Sequence, residues 1–142
     1  MGSGIAQKAA TEGATVVLVD LSQAALDRGM STIRGLLDQG VQRRVFKPEQ
    51  AEAILGRLIP TTSFEDLAEC ELVIEAVFED LGVKREVFGN LDRICDPEAV
   101  LATNTSSFRV SDVQTGLSHP ERVVGLHFFF HPAKNRLVEV IG

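Results

Sequence analysis

His127, in "GLHFFF", and Glu139, in "RLVEVI", are the residues of this 142-residue chain best suited to acid–base chemistry. Each lies in an apolar run that reads as a β-strand, Arg122–Phe130 and Arg136–Ile141. Only "HPAKN" separates the runs, too short a gap for a crossover helix, so an antiparallel hairpin is expected. Residues 127 and 139 are symmetric about its midpoint near residue 133, which sets them side by side on adjacent strands. A carboxylate beside an imidazole fixes its tautomer and favours the imidazolium that forms on proton uptake. Such a pair suits a general base that removes a hydroxyl proton while a hydride leaves the same carbon. The same spacing also fits an ordinary cross-strand ion pair of purely structural purpose. His119 and His131 read as loop residues, and with no third ligand near His127 and His131 no metal site is expected.

A second group of polar residues, "TNTSS" (Thr103 to Ser107), leaves the end of the run "AVLATN". In open α/β sheets ligands bind at the carboxyl ends of strands. Asn104 and Ser106 there are placed to orient a polar substrate, or else to satisfy the backbone of their own loop. A third signal lies at the start, in "MGSGIAQKAATEGATVVLVD". Gly2 at a helix start could let a pyrophosphate approach free N–H groups. Asp20 follows 18 residues later at a strand end, where dinucleotide folds place the carboxylate that holds a ribose. Asp20 would repel a 2′-phosphate, and no arginine follows it directly, so NAD is preferred to NADP. The stretch lacks two of the three glycines of G-x-G-x-x-G and is weak alone.

The elements that must position these groups alternate. Helices are expected from Gly2 to about Glu12, from Ser22 to Gly40, from Pro48, and from Leu81 to Ile94. Buried strands are expected at Thr15–Val19, Leu72–Val77, Ala99–Asn104 and the two hairpin runs. Alternation of this kind predicts an α/β fold with a mostly parallel sheet, right-handed crossovers and a C-terminal antiparallel hairpin. At 44% hydrophobic and 24% charged residues the chain can form a packed core of one domain, 1–142. A net charge of -6 argues against nonspecific binding to nucleic acid or to a membrane surface. Cys70 and Cys95 lack metal spacing and read as structural thiols of a reducing compartment. With no apolar span or export signal, a cytoplasmic protein is the expectation.

In this order, "MGSGIAQ", "VVLVD", "VIEAVFEDLGVK", "ATNTSS", "GLHFF" and "LVEVI" resemble the NAD-binding domain of the 3-hydroxyacyl-CoA dehydrogenase family over the whole chain. The resemblance implies a Rossmann-type doubly wound sheet and NAD-dependent oxidation of L-3-hydroxyacyl-CoA to 3-ketoacyl-CoA, or its reversal, in fatty-acid metabolism such as β-oxidation. It implies that His127 is the general base and Glu139 its carboxylate partner. Ser106 would contact the substrate's 3-oxygen, and Asn104 would lie beside substrate and nicotinamide. Gly2 would be the last glycine of the dinucleotide turn, Asp20 the ribose acid, and Glu79 and Lys84 the residues near the nicotinamide-side ribose. Arg43, Arg44 and Lys47 are candidates for coenzyme A phosphates, or simply a solvated basic face. By the same resemblance, the family's first strand would precede Met1, and a helical domain carrying homodimer contacts would follow Gly142. Phe130 departs from the family's "HFFNP", standing where the asparagine would be. Two other readings stay open: a dehydrogenase of a free hydroxy or sugar acid, and a non-catalytic nucleotide-binding or structural relative.

Overall fold

A computed structural model describes all residues, Met1–Gly142. The chain forms two compact units, one of Met1 and Ser3–Ser63, the other of Gly2 and Phe64–Gly142.

In the first unit, α1 (Gly2–Thr11) leads to β1 (Val16–Val19), α2 (Gln23–Gln42), α3 (Pro48–Gly56) and β2 (Leu58–Thr61). Gly13, at φ +102°, ends α1 as a helix-terminating glycine does. The Ser22 hydroxyl accepts from Ala25 N at 3.3 Å and caps α2. Pro48 occupies the first turn of α3, where its missing N–H costs nothing. Ala6 and Ala10 of α1, Ile33 and Leu37 of α2, and Ala51 and Ile54 of α3 form the core with Leu58. β1 and β2 pair in parallel, Val16 opposite Leu58 and Val19 opposite Thr61.

Two features depart from the sequence-based reading. β2 was not expected, because Pro60 interrupts its short apolar run; it is tolerated on an edge strand paired on one side only. Gly40 does not end α2, which continues to Gln42. Its role is spatial: a Cβ built there would lie 2.6 Å from Cδ2 of Phe46. Gly40→Val is expected to lower stability by about 1–3 kcal/mol through overpacking. Urea unfolding of the variant beside wild type measures this, and equal midpoints would contradict it.

In the second unit, β3 (Leu72–Glu75), β4 (Val100–Thr103), β5 (Val123–Phe128) and β6 (Val138–Ile141) form one sheet in that order. β3, β4 and β5 are mutually parallel and β6 is antiparallel to β5. α4 (Leu81–Ile94) connects β3 to β4, capped by Asp80, whose carboxylate accepts from Val83 N at 2.9 Å. Phe88 and Leu91 of α4 are fully buried, as are Leu101 and Ala102 of β4. A short helix, α5 (Val110–Val113), follows β4. Burial pushes the Cys70 and Cys95 thiols up from their ordinary pKa.

At the far end of α4, the Arg122 guanidinium bonds Asp92 Oδ1 at 2.9 Å and the Asp92 carbonyl at 3.0 Å. Burial raises the Asp92 pKa, but hydrogen bonds from Ser118 N and Arg122, with the Arg122 charge, outweigh it and hold it below the usual carboxylate value. A depressed carboxylate stabilises the fold above its unfolded pKa and loses that contribution as pH falls through the folded value. Asp92→Asn is therefore expected to be less stable at neutral pH, with the gap to wild type closing below about pH 4. Thermal melts across that range check it; a gap that widens in acid would contradict it.

Candidate active site

The carboxyl ends of β3, β4 and β5 share one edge of the second unit's sheet, with Glu75 opposite Thr103 and Thr103 opposite Gly125. Beyond those pairs, β5 runs on through His127.

His127 stands directly opposite Glu139 in the hairpin register. The Nδ1 atom lies 3.4 Å from Glu139 Oε2, ion-pair distance rather than a short hydrogen bond. The His127 side chain is 21% exposed and that of Glu139 56%, so the imidazole is sheltered while its partner meets solvent. With Nδ1 facing the carboxylate, Nε2 is the nitrogen left for a reacting proton. The Phe129 ring packs on the imidazole with centroids 4.6 Å apart and limits its rotation. Phe130 is 83% exposed, its ring against His131.

The loop after β4 is tied to this strand. The Asn104 Oδ1 atom accepts from Phe128 N at 2.8 Å, next to His127. That bond assigns the side-chain oxygen to the backbone and leaves the Nδ2 donor for a ligand. Ser106 is exposed on the same loop. Between them, Thr105 is buried, and its hydroxyl accepts from Ser107 N and Phe108 N, each at 3.2 Å.

Glu79 and Lys84 belong to a larger polar group centred on Glu75, which the sequence-based reading passed over. Glu75 is 3% exposed and Lys84 1% exposed. Lys84 Nζ donates to Glu75 Oε1 at 2.8 Å and lies 3.8 Å from Glu79 Oε2. Thr103 Oγ1 donates to Glu75 Oε2 at 2.7 Å and accepts from Thr105 N at 3.3 Å. The Thr105 hydroxyl donates to Glu79 Oε1. The contacts close a ring through Glu75, Lys84, Glu79, Thr105 and Thr103. Val77 N also donates to Glu75 Oε1 at 2.7 Å, which is why β3 stops at Glu75 instead of reaching Val77.

In the first unit, Asp20 follows β1 and is exposed; its Oδ1 accepts from Ser22 N at 3.1 Å. α1, which begins at Gly2, has no side-chain cap and no acidic residue in its first turn. Its leading N–H groups are therefore available to an anion. An uncapped helix start and a strand-end carboxylate are the donor and acceptor types that a pyrophosphate and a ribose hydroxyl require. Arg43, Arg44 and Lys47 lie in and around the turn between α2 and α3, all three exposed.

An α/β dinucleotide-binding fold with an imidazole–carboxylate pair at its strand ends is the class these features define. The family model for the 3-hydroxyacyl-CoA dehydrogenase NAD-binding domain matches residues 1–142. The chain belongs to that family, its fold is Rossmann-like, and its cofactor is NAD. It is 43% identical over 142 residues to 3-hydroxyadipyl-CoA dehydrogenase of Escherichia coli (strain K12), covering all of this chain and 30% of that protein. It is 39% identical over 146 residues to 3-hydroxybutyryl-CoA dehydrogenase of Clostridioides difficile, covering all of this chain and 50% of that one. Among solved structures it superposes on 3-hydroxybutyryl-CoA dehydrogenase from Escherichia coli K12 with a TM-score of 0.95 at 45% identity, covering 99% of this chain and 30% of the other. The (S)-3-hydroxybutyryl-CoA dehydrogenase from Ralstonia eutropha gives 0.94 at 34% identity, covering 99% and 50%. The chain thus spans 30% to 50% of the length of these relatives. No helix is long and apolar enough to cross a membrane.

Proposed function

We propose that this chain serves NAD-dependent interconversion of L-3-hydroxyacyl-CoA and 3-ketoacyl-CoA. The observation that carries the reading is His127 opposite Glu139, with Nδ1 and Oε2 3.4 Å apart, beside a loop tethered through Asn104. When bound, NAD supplies the acceptor for the hydride that leaves C3 of the substrate. His127 Nε2 takes the 3-hydroxyl proton as the C3–H electron pair departs and the carbonyl forms. Glu139 favours the imidazolium so produced and holds Nδ1 protonated. Asn104 Nδ2 and the Ser106 hydroxyl orient the 3-oxygen. In the reverse direction His127 returns the proton to that oxygen.

For the cofactor, α1 from Gly2 onward would receive the pyrophosphate, and Asp20 would bond the adenosine ribose and disfavour a 2′-phosphate. Glu79 and Lys84 would bond the nicotinamide-side ribose. The names of the relatives support an acyl-CoA substrate. Residues 1–142 would then act as the NAD-binding part of a cytoplasmic, homodimeric enzyme.

The test is turnover of acetoacetyl-CoA by the chain at its full natural length, followed as loss of NADH, with NADPH and with free acetoacetate as controls. NADH oxidation dependent on the acyl-CoA, and slower with NADPH, is expected. NADH binding without any turnover would overturn the catalytic reading.

A further inference from the structure

We propose that Glu75 is a positioning residue for the cofactor side of this site, acting through Lys84 and Thr103. The inference rests on the NAD reading above. Glu75 is only 3% exposed, yet it is the last residue of β3, at the carboxyl edge where open α/β sheets bind ligands. Both of its oxygens are engaged, Oε1 by Lys84 Nζ and Val77 N and Oε2 by Thr103 Oγ1. A carboxylate with three donors is rigid, and so is what it holds.

That rigidity has two consequences. The Lys84 ammonium has three donors; one is committed to Glu75 at 2.8 Å, and Glu79 lies only within loose range at 3.8 Å. The strong bond sets the direction of the remaining donors, and without it the ammonium would turn toward Glu79, its other carboxylate neighbour. On the other side, Thr103 Oγ1 receives Thr105 N, and Thr105 ties the following loop to Glu79. One buried charge therefore aligns both the lysine and the start of the Asn104–Ser106 loop. Buried ion pairs are a poor source of stability but a good means of fixing geometry, and this one sits where geometry would matter.

The experiment measures NADH affinity from its fluorescence on the full natural chain. Glu75→Gln keeps size and an acceptor but loses the charge, and about tenfold or more weaker NADH binding is expected, the scale of a charge-assisted hydrogen bond. Thr103→Val removes one of the three donors and is expected to weaken binding about threefold, with Thr103→Ser restoring it. A merely structural Glu75 would lower the melting temperature of these variants and leave NADH affinity alone. A folded Glu75→Gln within twofold of wild type would overturn the proposal. If that variant does not fold, Thr103→Val within twofold would overturn it. Wild-type protein that fails to bind NADH would overturn the cofactor reading and this proposal together; wild type that binds while Glu75→Gln is unchanged overturns this proposal alone.

Discussion

His127→Ala is expected to reduce turnover of acetoacetyl-CoA by about 10²–10⁴-fold, the usual contribution of a positioned acid–base group. Its KM for the acyl-CoA should change far less, because the imidazole handles a proton that moves only during reaction. Glu139→Gln should cost less than His127→Ala: the carboxylate is 56% exposed and its field is partly screened by water. His127→Ala should also leave NADH affinity intact, since the role proposed for His127 is at the substrate's oxygen and not at the cofactor. A His127→Ala enzyme with near-normal turnover would remove the imidazole from the chemistry.

Lys84→Met should be the most damaging substitution for stability, by about 3–5 kcal/mol, because it strands the Glu75 carboxylate without its counter-charge. Val77 N and Thr103 Oγ1 still bond Glu75, but neither carries charge. The sign of the effect has a built-in check. Glu75→Gln introduced into Lys84→Met removes the stranded charge and should recover most of the lost stability. Denaturant unfolding of wild type, Lys84→Met and the double variant measures this. A double variant less stable than Lys84→Met would show that the pair is not what holds the two residues in place.

Much of this site was legible in the sequence, for reasons particular to each residue. The hairpin register follows from symmetry about "HPAKN", and the observed pairing of His127 with Glu139 has that symmetry. Ser22, Pro48 and Gly13 mark helix ends by local chemistry and needed no tertiary information. Glu75 was not legible. In "LVIEAV" a single carboxylate among apolar residues gives no sign of its partners, which lie 9 and 28 residues away, at Lys84 and Thr103. Thr105 was likewise hidden among four other polar residues, and only its burial separates it from exposed Ser106. β2 was missed because Pro60 argues against a strand locally, while pairing along β1 overrides that preference. Gly40 was misread because a glycine near a helix end resembles a terminator, and the Phe46 ring that requires it comes six residues later.

The proposed reaction is hydride exchange between the cofactor and the substrate's C3, with His127 handling the proton. The most direct measurement supplies NADH deuterated at the transferable position of nicotinamide C4, with acetoacetyl-CoA, and analyses the product by mass spectrometry. Deuterium at C3 of 3-hydroxybutyryl-CoA, formed by wild type and about 10²–10⁴-fold more slowly by His127→Ala, is the predicted result. Unlabelled product, or no product from an enzyme that binds both ligands, would contradict it.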